Sequence, residues 1–329
     1  MRNIKNISTK ILCTTLPVII IAMGLLTFIA ANYSNRLISE QVQAHISAEL
    51  GSWEGKMNEY LNSVSDLCDT IANVVESTYT KTSLAEYEAL IANLIDSNDV
   101  CNGSGIWFEP YVYDPAQEYV GPYIYKDSGS YVVTYDYSNA EYDYFNQLYY
   151  TMCIGALGAQ FTDPYYDPTS NTIMSSCAAP IVVDGKHLGC VTVDITLDII
   201  TKLVGDIKVG ETGSAMLVTA DGTFIAGVSD EKISAARKIT EDSNASLAAL
   251  GKEVVSKVEG MGAFKNDSGD AMNAYYAPVS ATGWILIIQM AQKEITEDVR
   301  LLTMQQFERA SSMICACEIL RKKHNLCDK

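Results

Sequence analysis

Residues Ile11 to Ala31 form an uncharged run of 21 residues, ILCTTLPVIIIAMGLLTFIAA. A helix of that length crosses the ~30 Å hydrocarbon core of a bilayer, so the run predicts a transmembrane helix over 11–31. Arg2, Lys5 and Lys10 precede it and Arg36 alone follows closely. That bias puts residues 1–10 in the cytoplasm and everything after Asn32 outside. The rival reading is a cleaved signal peptide, whose apolar core is usually about 7–15 residues closed by a small-x-small site. Either way the body of the chain is exported. A receptor reporting inward would return through a second span after Glu294. The segment 299–329 instead carries Arg300, Gln305, Gln306, Glu308 and Arg309, and each ion at a helix centre costs about 2.5–3.5 kcal/mol. The expectation is an atypical tail without a second span, and an output domain missing from this sequence.

Charge narrows the partners. A formal net charge of −17 opposes binding to nucleic acid, which needs a positive field. With 48% hydrophobic residues the chain has ample material for a folded core. Nine cysteines, at 13, 68, 101, 153, 177, 190, 315, 317 and 327, show no metal-ligand spacing and read as small buried hydrophobes. His45, His187 and His324 share no spacing either. No G-x-S-x-G, H-E-x-x-H or G-x-x-x-x-G-K-[ST] pattern occurs. The reading is therefore of a protein that is not an enzyme and that holds neither metal nor cofactor.

Apolar positions from Leu37 through Leu50, Met57, Leu61, Val64 and Ile71 to Val75 recur at steps of 3, 4 and 7, which predicts a long amphipathic helix over 34–78. At 1.5 Å per residue it would be about 65 Å long, the length of a stalk serving two stacked modules. Ser83 and Glu86 suggest a capping box opening a second helix, Ser83 to Ile95. From Gly103 the pattern turns to short strands: GIWFEP, GPYIY, a turn at 127–130, YVVTYDY, a helical stretch at 141–154, FTDPYYDP, a strand near 172–183, a turn Asp184-Gly-Lys-His187, and LGCVTVDI. A weaker echo follows in SAMLVTADGTFIAG and in the closing pair ending WILIIQM. The fold class expected is α+β, with two modules built on antiparallel sheets at about 80–203 and 204–298.

These residues, in this order, resemble the double Cache sensor domain of bacterial methyl-accepting chemotaxis receptors and sensor kinases. The resemblance covers about 33–298 and rests on the inner span, the long helix, GIWFEP (105–110), FTDPYYDPTSNTIMSSCAAPI (161–181), GKHLGCVTVDITLD (185–198), GETGSAMLVTADGTFIA (210–226) and YYAPVSATGWIL (275–286). It implies a membrane-distal and a membrane-proximal PAS-like module on a shared stalk, a small ligand held in the distal one, and a homodimer through the stalk helices. The motif of the amino-acid-binding branch, carried over residue by residue, falls on Tyr142, Gln147, Tyr149, Tyr150, Tyr165 and Asp194. Gln147 stands where that branch has arginine. A guanidinium grips a carboxylate bidentately and an amide does not.

Read without the family, Tyr142, Phe145, Tyr149 and Met152 fall at i, i+3, i+7 and i+10, one face of a helix. Period two puts Cys190, Thr192 and Asp194 on one face of their strand. A carboxylate among tyrosines suits an amine through an ion pair, phenol hydrogen bonds and cation–π attraction. The ligand expected is thus an amine, an amino acid or another small polar molecule. Plainer readings stand beside these. The tyrosines could be core packing, and Asp194 could cap a helix starting near Thr196. Asp163, Tyr166 and Asp167 suit a proline-bounded turn, and Trp107 and Trp284 suit the core. The function expected is extracytoplasmic ligand sensing by a single-pass membrane receptor of the chemotaxis type. The alternatives are the sensor half of a histidine kinase or cyclase receptor, or a non-signalling surface binding or adhesion protein.

Overall fold

The computed structural model describes residues 2–127, 129–294 and 304. The expected tail 299–329 lies, Met304 apart, outside them. Two compact units divide the chain: Glu49–Met290, and a second made of residues up to Ala48 together with those from Ala291.

Helix α1 runs Arg2–Thr78 and so contains the helix expected at 34–78. Among the described residues no helix is long and apolar enough to cross a membrane; part of the run 11–31 falls outside the residues whose side chains are described. In the smaller unit Val18, Ile19, Ile21, Leu25, Leu26, Phe28 and Ile29 are all exposed, and Arg36 pairs with Glu40 one turn on at 2.8 Å. In the larger unit α1 buries Leu50, Met57, Leu61, Val64, Cys68, Ile71 and Val75, the stripe that the 3-4 spacing anticipates. Helix α2, Leu84–Asp96, opens on Ser83 with the reciprocal capping box.

The first sheet contains β1 (Gly103–Phe108), β2 (Tyr123–Asp127), β3 (Ser130–Thr134), β4 (Gln160–Phe161), β5 (Tyr165–Asp167), β6 (Thr172–Val183) and β7 (Lys186–Thr196), with a short helix α3 (Leu148–Thr151) between β3 and β4. Its order is β3-β2-β1-β7-β6-β4, and β5 also pairs with β6. Its strands pair antiparallel among the described residues, and β7 lies between β1 and β6. Every residue from Leu188 to Ile195 is buried, as befits a strand covered on both faces. Cys68 of α1 reaches one face, its thiol donating to the carbonyls of Cys177 (3.2 Å) and Val191 (3.4 Å). The hairpin turn is tighter than expected. Asp184 (φ 52°) and Gly185 (φ 74°) make it alone, the left-handed pair of a two-residue primed turn, and Lys186 and His187 already belong to β7.

Helix α4 (Leu197–Gly205) leads to the second sheet: β8 (Ser214–Val218), β9 (Phe224–Ala226), then helices α5 (Asp230–Ser234) and α6 (Ala245–Lys257), and β10 (Gly260–Lys265), β11 (Ala271–Val279) and β12 (Trp284–Ala291). Its order is β10-β11-β12-β8-β9. The architecture is α+β with two antiparallel sheets. Asp163 accepts from the Trp284 indole at 3.2 Å, and Asn58 of α1 accepts from the Ala281 amide at 3.0 Å.

One departure from expectation bears on the site. The stretch 141–154 is not a single helix. Asp143 takes a left-handed conformation, a one-turn 3-10 segment covers Tyr144–Asn146, and Gln147 is extended (φ −74°, ψ 151°) before α3. A 3.6-residue spacing cannot see such breaks, because aromatic side chains can meet in one cluster without sharing a helix.

Gly189 tests the strand core. Its φ is +145°, and a Cβ there would lie 2.1 Å from the Trp107 carbonyl oxygen of β1. Gly189→Ala is expected to lower stability by about 2–3 kcal/mol in urea unfolding of the chain; a loss under about 0.5 kcal/mol would show that β1 and β7 part readily.

Candidate functional site

Strand alternation builds a cavity on the face of the first sheet opposite Cys68. Asp194 and Thr192 of β7 face it beside Met174 and Ser176 of β6, and Ser176 stands directly opposite Asp194 in the ladder. Trp107 of β1 supplies one wall, and its indole N–H donates to the Thr192 hydroxyl at 3.0 Å. Glycine makes room for these rings: a Cβ at Gly103 would fall 2.4 Å from the Tyr123 hydroxyl, and one at Gly105 2.5 Å from the Trp107 ring.

The remaining walls are aromatic. Tyr123, Tyr137, Tyr142, Tyr149 and Tyr165 line the cavity. Trp107 meets Tyr149 at 5.4 Å and Tyr137 at 5.9 Å between ring centres, and Tyr137 meets Tyr142 edge-on at 4.8 Å. The Tyr165 hydroxyl and Ser176 Oγ are 2.7 Å apart. The cavity volume is about 10 Å³, close to the least that admits one water.

Two carboxylates face this space, and among the described residues no lysine, arginine or histidine does. Asp167, 2% exposed, is well satisfied: its Oδ2 accepts from the Tyr137 hydroxyl (2.8 Å), the Ser170 amide (2.9 Å) and the Ser170 hydroxyl (2.5 Å). Asp194, 3% exposed, is not. Its Oδ1 and the Tyr123 hydroxyl are both buried without a hydrogen-bond partner. Burial lifts the Asp194 carboxyl to about 6; Ser176 and Tyr123 pull it down loosely and Asp167 pushes it up. Burial likewise drives the Tyr142 phenol up to about 12, so the tyrosines stay neutral donors at ordinary pH.

Four of the six expected residues, Tyr142, Tyr149, Tyr165 and Asp194, meet around the cavity. The other two do not line it. Gln147 donates its amide to the Tyr142 carbonyl at 2.9 Å, and Tyr150 donates its hydroxyl to Glu109 at 2.7 Å and packs edge-on against His187. Asp194 is not a helix cap either, for Thr196 holds that position on α4. Asp167 does more than turn chemistry. It bonds the turn amide of Ser170 and also forms part of the cavity wall. Trp107 is both core and wall. Among residues not anticipated, Met174 and Ser176 follow from pairing β6 with β7 in register, and Tyr123 from the Tyr-x-Tyr alternation of β2. Tyr137 leaves no periodic signal, since it sits in a loop.

Residues 87–202 match the family model of the methyl-accepting chemotaxis protein-like first PDC sensor domain. Two curated chemoreceptors align over 86 residues at 28% identity: PctB of Pseudomonas aeruginosa and PscA of Pseudomonas syringae pv. tomato. The aligned part is 26% of this chain and 14% of either relative. In fold, the chain is similar to the extracellular domain of a histidine kinase candidate, mmHK1S-Z3, with a TM-score of 0.68 at 19% identity, covering 79% of this chain and 98% of that one. It is also similar to the ligand-binding domain of the amino-acid chemoreceptor PctB of P. aeruginosa in complex with L-Arg, with a TM-score of 0.56 at 16% identity over 78% and 98% of the two chains.

The orphaned acid predicts a pH signature. A carboxyl raised from 3.8 to about 6 by folding keeps its proton in the folded chain where the unfolded chain has lost it. Stability then falls as pH rises from about 4 to 6, by roughly 3 kcal/mol. Asp194→Asn should therefore melt above the unchanged chain at pH 7.5 and level with it near pH 4. Parallel melting curves at every pH would show that Asp194 carries no such burden.

Proposed function

We propose that this chain is a membrane-anchored, extracytoplasmic sensor of the chemotaxis or signal-transduction type, which binds a small organic amine in the cavity around Asp194. The observation that carries the reading is the buried pair of Asp194 Oδ1 and the Tyr123 hydroxyl, which lie near each other without a hydrogen bond of ordinary geometry, in a wall that has no cationic side chain among the described residues. Buried polar groups are nearly always satisfied, so an orphaned pair in a cavity wall marks where a ligand supplies the missing donors. An ammonium group offers three donors and a charge to the acid, and Trp107, Tyr137, Tyr142 and Tyr149 offer ring faces.

The PctB structure was solved with L-Arg and that of a further fold neighbour, Mlp24, with asparagine. An amino acid brings the same ammonium group but also a carboxylate. Here that carboxylate would face Asp167 and Asp194 with no guanidinium to hold it, and Gln147 is turned to the Tyr142 carbonyl. An amine without a carboxylate fits the electrostatics better. At about 10 Å³ the cavity must widen to admit it, and the irregular segment 137–152, which supplies Tyr137, Tyr142 and Tyr149, is the wall suited to move.

The anchor part of the proposal rests on the uncharged run 11–31 and on the apolar side chains exposed along Val18–Ile29, which suit a lipid environment. Pairing of two copies along residues 34–78 of α1 would let a ligand-driven shift of one helix register against the other.

Calorimetry on the full chain with n-butylamine and with alanine checks the ligand class. The expected result is saturable butylamine binding, at least tenfold weaker in Asp194→Asn. It should also weaken about tenfold per pH unit below about 6, since the cation needs the ionised acid. Binding of alanine but of no amine would overturn the proposal.

A further inference from the structure

The five described cysteines whose state is defined are free and buried: Cys68, Cys101, Cys153, Cys177 and Cys190. Four of them sort into two pairs on opposite faces of the β6–β7 hairpin. Ser176 lines the cavity, so its neighbour Cys177 points the other way, to α1, and the Cys68 side chain adjoins it there. Cys190 shares the cavity face with Thr192 and Asp194, and Cys153 lies near it. Cys153 and Cys190 belong to one buried cluster with Trp107, Tyr149 and Tyr150. Among the described residues no group of three cysteine, histidine, aspartate or glutamate side chains could hold a metal. The two pairs differ in one respect. The Cys68 thiol donates to two carbonyls, bonds that oxidation would remove, whereas Cys153 and Cys190 meet among the rings of their shared cluster.

We propose that Cys153 and Cys190 form a disulfide that fastens the end of the 137–153 segment to β7 and so limits how far the cavity can open. Exported chains meet an oxidising compartment, where neighbouring thiols join. The reaction is thiol–disulfide exchange. One thiolate attacks a small-molecule disulfide such as oxidised glutathione and releases one glutathione thiolate; the second attacks the cysteine sulfur of the resulting mixed disulfide and expels the other, so that the two cysteines lose two protons and two electrons while the reagent becomes two thiols. Burial raises the Cys190 thiol well above its ordinary value, which keeps the folded pair slow to react. The bond therefore forms as the chain folds, or when the segment opens.

Fastened at its far end, the segment still carries its other anchors. The Tyr144 hydroxyl donates to the Phe108 carbonyl at 2.6 Å and accepts from the Val120 amide at 3.1 Å. Opening is then confined to the stretch before Tyr144, which holds Tyr137 and Tyr142. The bond rests on the exported placement proposed above and not on the amine; its effect on binding rests on the amine reading as well.

The test is to refold the reduced full chain in a glutathione redox buffer, block remaining thiols with N-ethylmaleimide, and map the peptides by mass. A linked Cys153–Cys190 peptide is expected, with a melting temperature roughly 5–10 °C above the reduced chain. Cys153→Ser, or Cys190→Ala should the first fail to fold, should abolish the difference that reductant makes. Recovery of both residues as alkylated thiols, or linkage of either to Cys68 or Cys177, overturns the pairing. Butylamine should associate more slowly with the oxidised form; equal rates would overturn the gating role. The peptide map decides the bond even if no amine binds.

Discussion

The first sheet depends on burying β7 from both sides. Its residues from Leu188 to Ile195 have no solvent face, so whatever alternates along it must be satisfied from within. On the α1 side the occupants are Val191, Val193 and Ile195, which ask for nothing but contact, and the small Cys68 lets the helix come close enough for its thiol to meet strand carbonyls. On the other side the occupants are Cys190, Thr192 and Asp194. Thr192 is satisfied by Trp107. Asp194 is left short on a strand that cannot move to help it, because its own carbonyl is held by the Asn102 amide at 2.8 Å. The unmet acid is thus built into the most constrained strand of the module.

Much of this frame was legible in the sequence because it is periodic. The α1 stripe follows the helical repeat, α2 shows its capping box in Ser83 and Glu86, and the β6–β7 hairpin is marked by Asp184-Gly185 between two apolar runs. Once β6 and β7 are paired, the face carrying Asp194 also carries Ser176 and Met174. The misread part is the aromatic wall. Between Tyr137 and Met152 the chain turns through a left-handed Asp143 and an extended Gln147, and Tyr144 is fixed by bonds to the backbone of residues 108 and 120, not by its neighbours. Such contacts are long-range, so no local pattern encodes them. Asp167 is legible only in part, for a related reason. Its turn bonding to Ser170 is local and visible, but its bond to Tyr137 depends on how the loop folds back.

Gln147 shows how a motif position and a structural position can separate. The family resemblance marks it as the place of a carboxylate-binding arginine. Here its amide holds the Tyr142 carbonyl, which fixes the loop that bears one wall of the cavity. Gln147 thus shapes the wall without lining the cavity. Tyr150 likewise lies behind the wall, its hydroxyl taken by Glu109 and its ring packed on Tyr144 and Phe145.

The energetics of Asp194 and of the closed cavity act against each other in a way that suits a sensor. Holding the acid out of water without a partner costs the folded chain roughly 3 kcal/mol at neutral pH, the equivalent of its displacement from 3.8 to about 6. A cation that reaches it recovers that cost in addition to its own contacts, because the desolvation has already been borne in folding. The cavity of about 10 Å³ opposes this gain, since walls that touch must first part. A ligand able to pair with Asp194 therefore favours an arrangement of the 137–153 segment that the empty cavity disfavours. A ligand without that charge has nothing to set against the cost of opening. Differential affinity of this kind is what couples occupancy to shape, and in the proposed binding it would arise from the buried acid of Asp194 on a strand held from both sides.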